Sequence, residues 1–382
     1  MEFLFWFAAI GATFSYFFYP ITLLGISTLK KREVSLSIDN PDSSDSSTTI
    51  SLIVTAHNEA SQIREKIDNT LSLNIDGLTL EIIIASDYST DETNDIVRSY
   101  AERGVKLVET DQHLGKEYAQ LCGVKVSQGD IIIFSDAATR LKPEVLPKLL
   151  GYFNHKHVGA ISSEDRFITK DGAVAGEGYY VKYEMWLRGL ESKCAGLIGL
   201  SGSFFAARKE VCKKWDILAP SDFNTALNTN KAGMLAVSCT DVEGFYPNIK
   251  DETKEYQRKL RTAIRGMTGL ARHKEVLNPL KYGLFAYQVW SHKIMRWAVP
   301  WFMLLAFVSN ISLITNGFYL LTMCLQVLLL SVFFLASTNP NLRQNKLIKL
   351  VYFFYQVNMA LGHAAIKYIS GTRMTTWKPS TR

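Results

Sequence analysis

Cysteine is scarce. The five cysteines, Cys122, Cys194, Cys212, Cys239 and Cys324, form no CxxC pair and no metal-ligand spacing. That excludes a thiolate metal centre or a disulfide framework and points to reduced thiols in a cytosolic compartment. Clustered positive charge is also missing. The net charge is only +6 over 382 residues, and Lys and Arg are spread along the chain. Such a balance suits an anionic substrate or membrane surface, and no nucleic-acid partner is expected. Charge is absent from residues 3–29, an apolar and aromatic run that ends at Lys30, Lys31 and Arg32. It is long enough to cross a hydrocarbon core of about 30 Å. A cleaved signal would carry its positive charge before the apolar run, whereas here Glu2 precedes and the basic cluster follows. The run therefore reads as a retained anchor with the chain entering the cytoplasm at Lys30.

What is present changes along the chain. Residues 35–49 are rich in Ser and Asp and read as a linker. Continuous apolar runs at 50–56, 80–85, 105–108 and 131–134 read as buried strands. Helical spacing occupies 59–73, 90–103 and 116–127 between and after them. Strands apolar on both faces that alternate with helices predict a parallel sheet covered by helices, an α/β architecture. Further helices are expected at 177–193, 222–232 and 254–272, with a strand at 203–207. Residues 280–297 mix Trp290, His292, Lys293, Arg296 and Trp297 with apolar positions, as an interfacial helix does. Apolar stretches at 299–315 and 318–336 are long enough to cross. The loop 339–349 carries Arg343, Lys346 and Lys349, as a cytoplasmic loop should. Residues 350–369 contain Gln356, Asn358, His363 and Lys367, and either span or re-enter.

In parallel α/β sheets a ligand sits beyond the carboxyl ends of the strands. Three such ends are polar here. Thr55, His57, Asn58 and Glu59 lie at or after the end of the first strand, Ser86-Asp87-Tyr88-Ser89-Thr90-Asp91 follows the second, and Ser135-Asp136-Ala137-Ala138-Thr139 follows the fourth. An Asp after a strand is often only a helix cap, and Ser89 or Asp91 suits that role. Together the three ends resemble the family 2 glycosyltransferases with the GT-A fold. The resemblance covers roughly residues 50–272, and the flanking apolar segments match the integral-membrane members.

The resemblance implies an inverting transferase, with Thr55, His57, Glu59, Asp87, Lys116, Asp136, Arg258 and Arg261 around a nucleotide-sugar. Asp87 would accept from a uracil N–H. His57 stands where the family usually has Tyr, so an imidazole would stack on the base. Lys116 matches a basic residue near the phosphates; its alternative is a solvated lysine at a helix start. Asp136 opens the DxD-type signature, whose third position here is Ala138. Asp136 would hold Mg²⁺ or Mn²⁺ with phosphate oxygens and water, since Mg²⁺ is often bound by one or two carboxylates. Gly202 and Ser203 resemble the loop on the acceptor side. Asp222 matches the acidic position of the catalytic base and would equally suit a helix N-cap. Arg258, Arg261 and Arg265 share one helix face. They resemble the family's basic helix, without the Trp of QxxRW; a solvated basic helix is the alternative.

The expected plan is an anchor at 1–29, a basic cluster and linker at 30–49, a GT-A domain at 50–272, an interfacial segment at 273–298, transmembrane or re-entrant segments at 299–369 and a basic tail at 370–382. The expected activity is transfer from a UDP-sugar to a lipid-linked or polysaccharide acceptor at the inner membrane, with the catalytic domain cytoplasmic. A catalytically impaired binding partner of a synthase is the alternative that Ala138 raises. A nucleotidyltransferase should carry a glycine-rich phosphate loop, and residues 50–60 contain no Gly.

Overall fold

A computed structural model of the protein describes residues 1–30, 49–75, 77–168, 179–247 and 252–374. The linker expected at 30–49, apart from its two ends, and the tail beyond 374 lie outside these residues. The chain divides into two compact units. One comprises Met1–Gly25, Lys250–Met267 and Ala286–Arg373, the other Ile26–Ile249, Thr268–Phe285 and Met374–Arg382.

The first helices are α1 (Glu2–Thr13) and α2 (Tyr19–Lys30), joined by a π-helical turn at Phe14–Phe18. The second unit then builds its sheet from β1 (Thr49–Ala56), β2 (Thr79–Ser86), β3 (Val105–Glu109), β4 (Ile131–Asp136), β5 (Arg140–Leu141), β6 (Val158–Ile168), β7 (Phe204–Arg208) and β8 (Leu235–Pro247). The order across the sheet is β3-β2-β1-β4-β7-β6-β8-β5. Strands β1 to β4 are parallel, as their apolar runs require. The later strands make the sheet as a whole mixed, because β7 runs antiparallel to both β4 and β6. Helices α3 (Ile63–Leu71), α4 (Thr93–Arg98), α5 (Lys116–Val126), α6 (Val145–Phe153), α7 (Tyr179–Cys194) and α8 (Ser221–Lys231) accompany it. Two apolar clusters flank the sheet. One gathers Ile50, Leu52 and Val54 with Ile63 and Ile67, the other Ile53, Ile83 and Phe134 with Leu197 and Phe205.

The remaining helices are α9 (Glu252–Arg272), α10 (Pro279–Val289), α11 (Met295–Ile311), α12 (Gly317–Thr338) and α13 (Lys346–Ile369). Among the described residues three helical runs are long and apolar enough to cross a membrane: Glu2–Leu29, Pro279–Ile311 and Gly317–Thr338. The second run contains no helix end at residue 298. It bends at Gly283 (φ 50°) and passes through a π-helical turn at Trp290–Ile294. The residues expected to form an interfacial segment at 273–298 thus run on helically, from Pro279, into the apolar stretch that follows, through a π turn of the kind found inside α-helices. Within the first unit α1 packs on α11, where a Cβ on Gly11 would lie 2.7 Å from the Phe302 ring.

Candidate active site

The parallel register brings the polar strand ends to one edge. Ala56 pairs with Ser86 and Thr55 with Asp136, so His57, Asp87 and Asp136 emerge together. Asn58 and Tyr88, the residues that turn away from β1 and β2, are left-handed at φ 53° and 54°. Such conformations are costly for residues other than glycine and persist where surrounding contacts hold them. Here Asn58 Oδ1 accepts from Thr90 N at 2.8 Å, and Asn58 N donates to Ser89 Oγ at 3.1 Å. Asp91 accepts from Thr93 N, the first residue of α4, at 3.0 Å and from Ala60 N at 3.1 Å, while Glu92 occupies the cap position.

Asp87 is fully buried. Its Oδ1 accepts from Gly115 N at 3.2 Å, and its Oδ2 lies 2.9 Å from His113 Nδ1. The rings of His57 and His113 stack at 4.2 Å and 18°. His57 Nδ1 bonds the Asp87 carbonyl at 2.6 Å, so one ring face of His57 is taken by His113. His57, Asp87 and His113 have ligand atoms within 4.8 Å of one another. Near-parallel rings place their lone pairs in separate planes, and a metal must lie near both at about 2.0–2.1 Å, so one ion cannot join the two imidazoles. Thr55 is buried with an unbonded hydroxyl. Glu59 turns instead toward the start of α3, where it accepts from Gln62.

Lys116 links two sides of the site. Its Nζ donates to Asp136 Oδ1 at 2.5 Å and to the Gly202 carbonyl at 2.8 Å. Asp136 N donates to the Ser203 carbonyl at 2.9 Å. Asp222 sits beside the same loop, since a Cβ on Gly202 would meet Asp222 Oδ2 at 3.7 Å. Asp222 is the second residue of α8 and makes no side-chain cap bond, Pro220 occupying the cap position. The neighbouring acids are engaged elsewhere. Asp241 accepts from the Tyr152 hydroxyl, and Glu243 meets Lys142 and Arg166, each at 2.9 Å. Burial acts to raise the Glu243 pKa, but those two cations hold it below the usual range. Arg258 and Arg261 lie on α9 in the portion belonging to the other compact unit. Burial, then the charges of Arg265 and Arg258, lower the Arg261 pKa.

The residues present suit a divalent cation in one respect. Asp136 is partly exposed and has a second oxygen, while Ala138 is buried and offers no donor. A single carboxylate is compatible with such a cation when phosphate oxygens complete the shell.

Three residues escaped the sequence reading. His113 was findable, because the loop after β3 ends at the same edge as those after β1 and β2. Lys66 is fully buried under the signature loop and donates to Ser135 Oγ at 2.7 Å and the Thr139 carbonyl at 2.6 Å. Burial pushes its ammonium down to about 7, Arg140 adding to this and Asp136 opposing it. Asp165, inside β6, accepts from Ser201 and Ser203; nothing in its local sequence marks it.

Residues 51–215 match the model of Glycosyl transferase family 2. The chain is 29% identical over 179 residues to a probable glycosyltransferase, YdaM, of Bacillus subtilis, covering 44% of this chain and 43% of that protein. It is 31% identical over 179 residues to the dolichol-phosphate mannosyltransferase of Pyrococcus furiosus, covering 42% and 47%. The chain thus spans under half the length of these curated relatives. Among solved structures it resembles the mannosyltransferase PcManGT of Pyrobaculum calidifontis, which was solved with GDP-Man and Mn²⁺. That likeness has a TM-score of 0.66 and 21% identity over 96% of this chain and 99% of the other. The sheet, its polar edge and these matches agree on the GT-A fold, and residues 51–215 are similar to glycosyl transferase family 2.

Proposed function

We propose that the protein is a membrane-anchored, inverting glycosyltransferase that moves a sugar from a nucleotide-sugar, UDP-linked, to a lipid-linked or polysaccharide acceptor at the inner face of a membrane. One observation carries this reading: Lys116 bridges Asp136, on the donor side, to the Gly202 carbonyl, beside which Asp222 lies. The Asp87 carboxylate is the acceptor for a base N–H, and the His57–His113 pair offers an imidazole face to the ring. The Lys116 ammonium neutralises diphosphate charge as the bond to the sugar breaks. Asp222 takes the proton of the acceptor hydroxyl as its oxygen attacks the anomeric carbon from the opposite side. Mg²⁺ or Mn²⁺, held by Asp136 with diphosphate oxygens, would supply further charge neutralisation to the leaving group. The relatives' names motivate the lipid-linked option, as one is a dolichol-phosphate mannosyltransferase.

A panel of nucleotide-sugars screened by thermal stabilisation and donor hydrolysis tests the reading. Stabilisation by at least one donor, lost in Asp87→Ala and Asp136→Ala with their folds intact, is the expected result. Wild-type nucleotide affinity in both variants would relocate the donor site. Ala138 favours a second reading, a nucleotide-sugar-binding partner without catalysis. Donor binding without hydrolysis or transfer would select it.

A further inference from the structure

The polar run Ser162-Ser163-Glu164-Asp165-Arg166 in β6 plays no part in the transfer chemistry assigned to Asp87, Lys116, Asp136 and Asp222. In an unbroken strand Ser162 and Asp165 would face opposite sides. The register with β8 slips between Ser162 and Glu164, a bulge that re-aims the side chains beyond it. Both residues consequently reach the loop of residues 199–203. Ser162 Oγ accepts from Ser201 N at 2.7 Å and from Arg188 of α7. Asp165 Oδ1 accepts from Ser201 Oγ at 2.5 Å and from Ser203 Oγ at 2.6 Å. One carboxylate oxygen therefore holds both residues that flank Gly202.

We propose that Asp165 is a positioning residue for the transfer reaction: by clamping Ser201 and Ser203 it aims the Gly202 carbonyl at Lys116 and fixes the loop beside Asp222. The geometry runs without a gap from the clamp to the Gly202 carbonyl, to Lys116 Nζ and to Asp136. A second link enters through Asp136 N and the Ser203 carbonyl. Ser162 and Ser201 are buried and Asp165 and Ser203 half-buried, and polar groups withdrawn from water are costly unless bonded, so the hydrogen bonds within the cluster favour one arrangement. Burial raises the Asp165 pKa; the two serine hydroxyls and Arg188 counter that, and Asp136 adds to it. The proposal rests on the transferase reading for its effect on turnover, but not for its effect on the loop.

Two readouts test it. Asp165→Ala should raise amide hydrogen exchange in residues 199–203 while β7 keeps its protection. It should lower kcat by about ten- to a hundredfold, the scale of loss from misplaced reacting groups. It should also divert donor to hydrolysis, raising the ratio of hydrolysis to transfer. Asp165→Asn retains an acceptor oxygen and should restore kcat to within a fewfold of wild type. The pair Ser201→Ala with Ser203→Ala should reproduce the alanine variant, and combining all three should add little further loss. Wild-type exchange in 199–203 for Asp165→Ala would overturn the clamp. So would a lowered melting temperature with an unchanged ratio of hydrolysis to transfer, the mark of a merely structural carboxylate. Should Asp165→Ala fail to fold, the serine pair and Asp165→Asn carry the same comparison. If the wild type uses no nucleotide-sugar at all, the transferase reading fails while the exchange data still decide the clamp.

Discussion

At the scale of single residues, the clearest question is what Asp222 does. A capping Asp and a basic Asp look alike in sequence, because both sit at a helix start. In α8 Pro220 is the cap residue and Asp222 makes no cap bond, in keeping with the base role proposed for it. Its position in the first turn still favours a negative charge there. Asp222→Asn should therefore bind donor normally and change melting temperature little, but transfer sugar slower by about 10²–10⁴-fold, the usual value of a general base. Near-normal turnover in that variant would remove the assignment. Lys66 invites a different experiment. Its ammonium is disfavoured in the fold, so the stability present above its ordinary pKa of 10.5 is lost as pH falls toward about 7. Wild type should gain melting temperature relative to Lys66→Met as pH rises across that window. A difference independent of pH would mean the lysine stays charged throughout. Lys66 was not visible as a site residue, since a lysine within a helix has an ordinary explanation, and His113 was marked only by its place in the loop after β3. Their burial and partners appear only once distant segments meet.

At the scale of elements, legibility followed burial. Strands β1, β2 and β4 are apolar and buried over most of their length, and β3, with Lys106 and Glu109 exposed, is a shorter apolar run; the sequence predicts all four within a few residues. Strands β6 and β8 escaped because they carry Ser, Glu, Asp and Arg on their outer halves, which breaks both the alternating and the continuous pattern. Those polar halves are where the Asp165 clamp and the Glu243 ion pairs sit, so function erased the signal that structure would have left. Helix α4 is shorter than expected. It gives way to a 3₁₀ turn at Ala101–Arg103 that ends on Gly104 at φ 82°. Among the apolar helices a close approach rather than a hydrophobic pattern fixes the packing. Gly11 admits the Phe302 ring where a Cβ would be 2.7 Å away, as small residues do at helix contacts in lipid. Gly11→Leu should destabilise the protein by about 1–3 kcal/mol, the usual cost of overpacking. Gly25, where an added Cβ would meet no atom within 4 Å, provides the matched control. Equal melting temperatures for Gly11→Leu and Gly25→Leu in detergent would show that α1 does not depend on this contact.

At the scale of the whole molecule, the number of crossings and the placement of basic residues constrain one another. On sequence alone residues 350–369 either span or re-enter, because a spanning segment there would put Arg373, Lys378 and Arg382 outside, against the positive-inside tendency. The three helical runs with sufficient length and apolarity do not include α13. If the first run enters the cytoplasm at Lys30, the second leaves and the third returns, which puts the turn at Pro340–Gln344 on that same side. Arg343 in that turn donates to the carbonyls of Ala336 and Ser337 at 2.7 and 3.1 Å and lies 4.0 Å from the Tyr352 ring. It thereby closes the end of α12, where a cation suits the helix dipole. If α13 lies along the membrane rather than across it, the basic tail stays inside with the Lys30 cluster and the catalytic domain. All the basic segments then share one side. Single cysteines placed at residue 40, at residue 344 and at residue 380, in a background without the five native cysteines, should resist an impermeant maleimide on intact cells and react after permeabilisation. Labelling at 380 alone in intact cells would make α13 a fourth crossing. Labelling at 40 would invert the whole arrangement and put the donor site on the side where nucleotide-sugars are not supplied.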